Sequence, residues 1–224
     1  MRFTFKSALV ALVAVLVLGA VASASASAAL PEFVHGEGEA FPISLSFSSK
    51  SVSTVFEGPG FLSQPGCNGA SFSGEVTAAK SVSLTTEFEG CRLDATNICS
   101  TKGAAAGHVV LPWSGTLVYI DKATKQVGIV LKLTEKLIFE CGSWSAPIKG
   151  SILIPVTPIN TKTSKLGVAI HHGKAEGQPE YKEYENEKGE VEKTHFEVGT
   201  HVENNLNVAG EPQLAAGKSF TISG

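Results

Sequence analysis

The chain has 224 residues with 18 basic and 21 acidic side chains, a formal net charge of −3. Without Arg2 and Lys6, the only charges before residue 29, the balance is 16 basic against 21 acidic, net −5. That balance gives no electrostatic basis for nucleic acid or an anionic membrane as partner.

Residues 1–28, MRFTFKSALVALVAVLVLGAVASASASA, combine two basic residues, an apolar run from Ala8 to Val21 and an Ala/Ser tail. This reads as a secretory signal peptide, with cleavage expected after Ala26 or Ala28 and no integral membrane segment afterwards. Residues 29–224 then form one secreted domain, long enough to bury roughly 70% of its unfolded surface.

Apolar residues in this domain recur with period two, the signature of half-buried strands. Ile43 to Phe47 and Val52 to Phe56 are the first short strands expected. CNGASFSGEVT and SVSLTTEFEGC, joined by AAK at 78–80, read as a hairpin with Phe72, Val76, Val82, Leu84 and Phe88 on its even face. Val109, Leu111, Trp113, Leu117 and Tyr119 form one odd-numbered face, which places Trp113 in the core. DKATKQ at 121–126 turns the chain into a long strand from Val127 to Cys141, with Tyr119 opposite Val127. Further strands are expected at Ile148 to Val156, Leu166 to His171, Tyr181 to Glu185, Glu190 to Phe196 and Lys218 to Ile222. Pro112, Pro155 and Pro158 belong at strand ends, edges or bulges. Short strands and no amphipathic helix predict an all-β fold, an antiparallel β-sandwich or barrel-like sheet pair with hairpin connections.

Four cysteines, Cys67, Cys91, Cys99 and Cys141, lack the paired spacing of a zinc site and the C-x-x-C of a redox motif. In an exported chain they read as two structural disulfides. A turn centred on Ala79 puts Cys67 opposite Cys91 and leaves Cys99 for Cys141. One β-bulge would favour Cys91–Cys99 with Cys67–Cys141 instead. Either pairing gathers all four at one pole.

Residues 176–203 hold nine glutamates and three lysines. They read as an acidic, exposed hairpin turning at NEKG (186–189), whose charges discourage edge-to-edge association.

No G-x-S-x-G, H-E-x-x-H, P-loop or EF-hand pattern is present, and the only aspartates are Asp94 and Asp121. His171 and His172 are adjacent on a strand and so point to opposite faces. No cofactor or metal site follows. Glu135 interrupts an apolar face: such a break more often marks a bulge that turns the side chain out to water, and if it stays inside, Glu135 is the one carboxylate expected to be partly desolvated. With Glu87, Glu89 or Glu140 it would be the pair of a secreted hydrolase. Trp144, Tyr181 and Tyr184 are the candidate stacking surfaces, with Trp144 expected to be the most exposed.

The segments FEGC, CSTKGAAAGHVVLPWSGTLVYI, VGIVLKL, FEC, IKGSILIPVTPIN and GQPEY resemble a group of uncharacterised secreted proteins of high-GC Gram-positive soil bacteria. The resemblance implies export and a disulfide-linked β fold, and carries no activity. The reading that follows is a non-catalytic extracellular or surface-associated binding domain. Its expected partner is a cell-wall carbohydrate or another surface protein, bound through loops at one end of the sheets. The alternatives are the glutamate hydrolase and a structural coat or matrix protein.

Overall fold

A computed structural model describes residues 30–58, 63–172, 181–201, 205–209 and 212–224. The signal-peptide reading of residues 1–28 lies outside them, as do residues 176–180 and 202–203 of the acidic segment. The described residues contain strands and no helix. In chain order these are β1 (Glu32–His35), β2 (Ile43–Ser49), β3 (Thr54–Glu57), β4 (Gly66–Cys67), β5 (Gly69–Ala78), β6 (Ser81–Glu89), β7 (Cys99–Thr101), β8 (Val109–Asp121) and β9 (Gln126–Leu133). They continue as β10 (Leu137–Cys141), β11 (Trp144–Thr157), β12 (Thr163–Val168), β13 (His171–His172), β14 (Glu183–Glu185), β15 (Val191–Lys193), β16 (Phe196–Val198), β17 (Asn205–Val208) and β18 (Gln213–Ser223).

Eight of these strands close into an antiparallel barrel in the order β8, β6, β5, β2, β18, β12, β11, β9 and back to β8. The closing strand is β9, paired with β8 through Tyr119↔Val127 and with β11 through Leu153↔Val130. A sandwich is therefore not what forms: each of the eight strands has a hydrogen-bonded neighbour on both sides. Register shifts at Val76/Ala78, Tyr119/Asp121 and Thr163/Lys165 supply local bends of the kind that help a sheet curl. No helix among the described residues is long and apolar enough to cross a membrane.

The barrel interior is filled by side chains. Alternate residues of β8, namely Val109, Leu111, Trp113 and Leu117, are buried together with Ile129 and Leu131 of β9 and Phe72, Val76, Val82, Leu84 and Phe88 of the first hairpin. The expected faces of both hairpins are thus the real ones. Trp113 donates its indole N–H to Thr86 Oγ1 at 3.0 Å, and the Thr86 hydroxyl donates to the Leu111 carbonyl at 3.5 Å, so these buried polar groups are satisfied. Space is tight on this face. A Cβ at Gly74 would overlap the Ser83 carbonyl and lie 2.8 Å from Leu84 Cα.

The expected single strand from Val127 to Cys141 is two strands. Thr134, Glu135 and Lys136 are exposed between β9 and β10, and Thr134 N–H bonds the Pro112 carbonyl at 3.1 Å. There the chain leaves the barrel. β10 then pairs with β7 and with the first half of β11. Pro112 and Pro155 both sit where a ladder stops, at the start of β8–β9 pairing and at the end of β9–β11 pairing. Their missing N–H groups therefore interrupt no continuous ladder.

The disulfides are Cys67–Cys91 and Cys99–Cys141. They are neighbours: Cys99 N–H bonds the Cys91 carbonyl at 2.9 Å, and Gly66 bridges Arg92, which bridges Ile98. The loop between them is tied by the Asp94 carboxylate, which accepts from the Asn97 amide (2.7 Å), the Thr96 N–H and hydroxyl, and the Asn97 N–H. Those bonds hold its pKa well below the usual carboxylate range, the Asn97 side chain contributing most. Around this pole an aromatic chain links the barrel to the extra strands, with Phe72–Phe88 at 6.3 Å, Phe88–Phe56 at 5.7 Å and Phe56–Phe139 at 5.5 Å between centroids.

Replacing Cys99 and Cys141 together by alanine is expected to cost about 2–4 kcal/mol in urea unfolding, by releasing a 42-residue span in the unfolded chain. Gly74→Ala is expected to cost about 1–3 kcal/mol through backbone overlap, lowering the urea midpoint at constant slope. Unchanged midpoints would contradict the packing described.

Candidate functional site

On the barrel's flank β6 stops pairing with β8 at Ser81↔Thr116, while β8 runs on to Asp121. β14 occupies the vacated edge through Glu185↔Tyr119 and carries β15 with it. The hairpin turns at Asn186 to Gly189 as expected: Asn186 N–H bonds the Glu190 carbonyl, and Asn186 Oδ1 accepts from the N–H groups of Lys188 (2.9 Å) and Glu190 (3.0 Å). Gly189, with φ of 76°, takes the left-handed position that such a turn requires.

The expectation of a solvated hairpin is met only on one side. Glu183, Glu187, Glu190, Val191 and Glu192 are exposed, whereas Tyr181, Tyr184 and Glu185 are half-buried and Thr194 is buried. Between the hairpin and the outer face of β8 and β9 lies a cleft of about 290 Å³. It sits near the lower end of the roughly 300–1,000 Å³ range of small-ligand pockets. The barrel wall supplies Ser114, Thr116, Val118, Val130 and Lys132; the hairpin wall supplies Tyr184, Asn186, Glu187 and Glu192; Leu30 contributes from the N-terminal side. Val118 and Leu30 are buried yet lie outside the barrel core, which makes the floor apolar.

The hairpin wall is organised around Glu192. Tyr184 donates its hydroxyl to Glu192 Oε2 at 2.5 Å, and Asn186 Nδ2 donates to Glu192 Oε1 at 2.7 Å and to Glu190 Oε2 at 3.1 Å. The Tyr184 bond, then the Asn186 bond, and the nearby positive charge of Lys188 outweigh desolvation and hold Glu192 below its ordinary carboxylate range. The same contact acts oppositely on the phenol. Burial first, then the bond to Glu192 and its negative charge, push Tyr184 up to about 12.

Of the three aromatic candidates, only Tyr184 lines the cleft. Tyr181 accepts a hydrogen bond from Gln126 Nε2 at 3.4 Å and so helps seat the hairpin on the barrel. Trp144 is half-buried, as are Tyr181 and Tyr184, and stands directly opposite Cys141 across a two-residue turn, with its ring edge-on to Phe139 at 5.8 Å. The hollow beside it, lined also by Ser63, Pro65 and Leu93, is about 20 Å³ and holds no more than a water.

Glu135 is exposed in the break between β9 and β10, turned to water as such a break more often implies, and so is not the desolvated acid the hydrolase alternative needs. Glu87 pairs instead with His108 Nδ1 at 2.7 Å on the surface. The side chains of His171 and His172 lie outside the described residues. Among the described residues no group of three His, Cys, Asp or Glu side chains could hold a metal. The cleft residues Ser114, Thr116, Lys132 and Glu192 escaped sequence reasoning because each is an ordinary polar position of an amphipathic strand.

The raised pKa of Tyr184 has a defined effect on stability. The stability it contributes is present below the unfolded value of 10.0 and is lost as pH rises towards about 12. Tyrosinate absorbance is expected to show a late ionising step near pH 12 that disappears in Tyr184→Phe, with hairpin amides losing exchange protection over the same interval. A wild-type titration without the late step would contradict the Tyr184–Glu192 contact. No protein-family model, curated protein or solved structure matches this chain, so the chemistry of its cleft rests on the cleft's own residues.

Proposed function

We propose that this chain is an exported, non-catalytic binding domain that takes its ligand in the cleft between the β14–β15 hairpin and the barrel wall. The single observation that carries the reading is the cleft: a concave site with an apolar floor and few, fixed polar groups, set on a closed barrel whose extra strands are covalently stapled at one pole. Two disulfides support an oxidising compartment, and the resemblance to secreted proteins of Gram-positive soil bacteria points the same way. The site lies on the flank of the barrel, not in the loops at one end of it.

Hydrolysis is the weaker reading. General-acid catalysis near neutral pH needs a carboxyl that retains its proton, and Glu192 is pulled in the other direction by two hydrogen-bond donors. Glu135, the acid the alternative relied on, stands in solvent on the other side of a strand break.

The test uses the chain from residue 29 onward, with cell-wall fragments and a polysaccharide panel. Retention of the wild-type protein is expected, and Thr116→Trp, which fills the cleft from an exposed strand position, is expected to weaken it about tenfold or more. Retention that Thr116→Trp leaves unchanged would remove the cleft from consideration, and no retention on any fragment would remove the cell wall as the partner.

A further inference from the structure

The two walls of the cleft carry opposite charge and do not neutralise each other. On the barrel wall Lys132 stands directly across from Ser114 in the β8–β9 register. Among the described residues no carboxylate is ion-paired with it. On the hairpin wall Glu192 is ionised and held in one orientation by Tyr184 and Asn186, and Asn186 is itself held by two backbone N–H groups. Glu187 adds a second carboxylate to that wall. The polar capacity of Asn186 is spent inside the hairpin. The groups left for a ligand are the Lys132 ammonium, the Ser114 and Thr116 hydroxyls, the Glu187 carboxylate and the remaining lone pairs of Glu192.

We infer that the cleft takes a small zwitterion, with the ligand's carboxylate on Lys132 and its ammonium on Glu187 and Glu192, a free dipeptide being the simplest such molecule. This rests on the reading of the cleft as a binding site. A neutral sugar entering the cleft would strip water from both walls and return no opposite charge to either. A simple cation would leave Lys132 facing like charge, and a simple anion would face two carboxylates. Only a ligand with separated charges of both signs satisfies both walls together. The apolar floor of Leu30, Val118 and Val130 excludes water beneath the ligand and strengthens each charged contact. A volume of about 290 Å³ suits one or two amino-acid residues rather than a polymer chain.

Calorimetric titration with alanyl-alanine, its N-acetyl derivative, its C-terminal amide and a neutral disaccharide tests this directly. The free dipeptide is expected to bind, and blocking either end is expected to weaken binding about tenfold or more. Lys132→Met should abolish the difference between acid and amide while keeping the difference between free and acetylated amine. Glu187→Gln and Glu192→Gln should do the reverse, and circular dichroism confirms that each variant keeps the β spectrum. Equal binding of free and blocked dipeptides, or preference for the disaccharide, overturns the ligand class; if Thr116→Trp still abolishes that binding, the cleft as a site survives. Absence of binding by every probe overturns the ligand class, and together with cell-wall retention unaffected by Thr116→Trp it overturns the site as well.

Discussion

The structure depends on β9 being hydrogen-bonded along both edges. Its odd-numbered residues face the core, its backbone pairs with β8 on one side and β11 on the other, and through it an eight-stranded sheet has no free edge. An open sheet of this size would expose two rows of unpaired N–H and C=O groups. Closure removes them and encloses a core in which Trp113, Phe72, Phe88, Leu111 and Leu117 are almost completely withdrawn from water. A buried polar network, Trp113 to Thr86 to the Leu111 carbonyl, is satisfied within the barrel wall. With the interior filled in this way, function moves to the outer surface.

The extra strands and the disulfides belong to one pole. Cys67–Cys91 joins β4 to the loop between β6 and β7, Cys99–Cys141 joins β7 to β10, and the Phe88–Phe56–Phe139 chain packs beside them. The flank has no such covalent tie. Its hairpin meets β8 at Glu185↔Tyr119 and Gln126 through Tyr181, Thr194 is buried at its base, and the chain then runs into β16 on β11. A barrel wall hydrogen-bonded along both edges and a hairpin wall seated on β8 therefore face each other across the cleft.

Charge in the cleft follows from the same division. The barrel wall presents what an outward strand face normally presents, two hydroxyls and a lysine. The hairpin wall presents an acidic strand whose central glutamate is tied by a phenol and an amide. Neither wall is unusual alone, and the site arises only where they meet.

How much of this was legible follows from the range of the interactions. Strand periodicity is local, so Val127 to Leu133 and Val109 to Tyr119 disclosed their buried faces, and the pairing of Tyr119 with Val127 followed from parity across a short turn. The first hairpin disclosed its register in the same way, which put Cys67 opposite Cys91, and the NEKG turn was visible from its residues. Alternation states which face a residue takes but not which strand lies beside it. Closure through β12, β18 and β2, the break at Thr134 to Lys136 and the half-burial of Trp144 therefore needed the tertiary structure. The cleft lay furthest from view, because Leu30, Lys132 and Glu192 meet only after the sheet has curled and the hairpin has taken the edge that β6 leaves open. Sequence determined the local hydrogen-bonding partners and narrowed the disulfides to two pairings; the three-dimensional fold alone decided between them and which distant surfaces would face each other, since that depends on where strands end and how far the sheet bends.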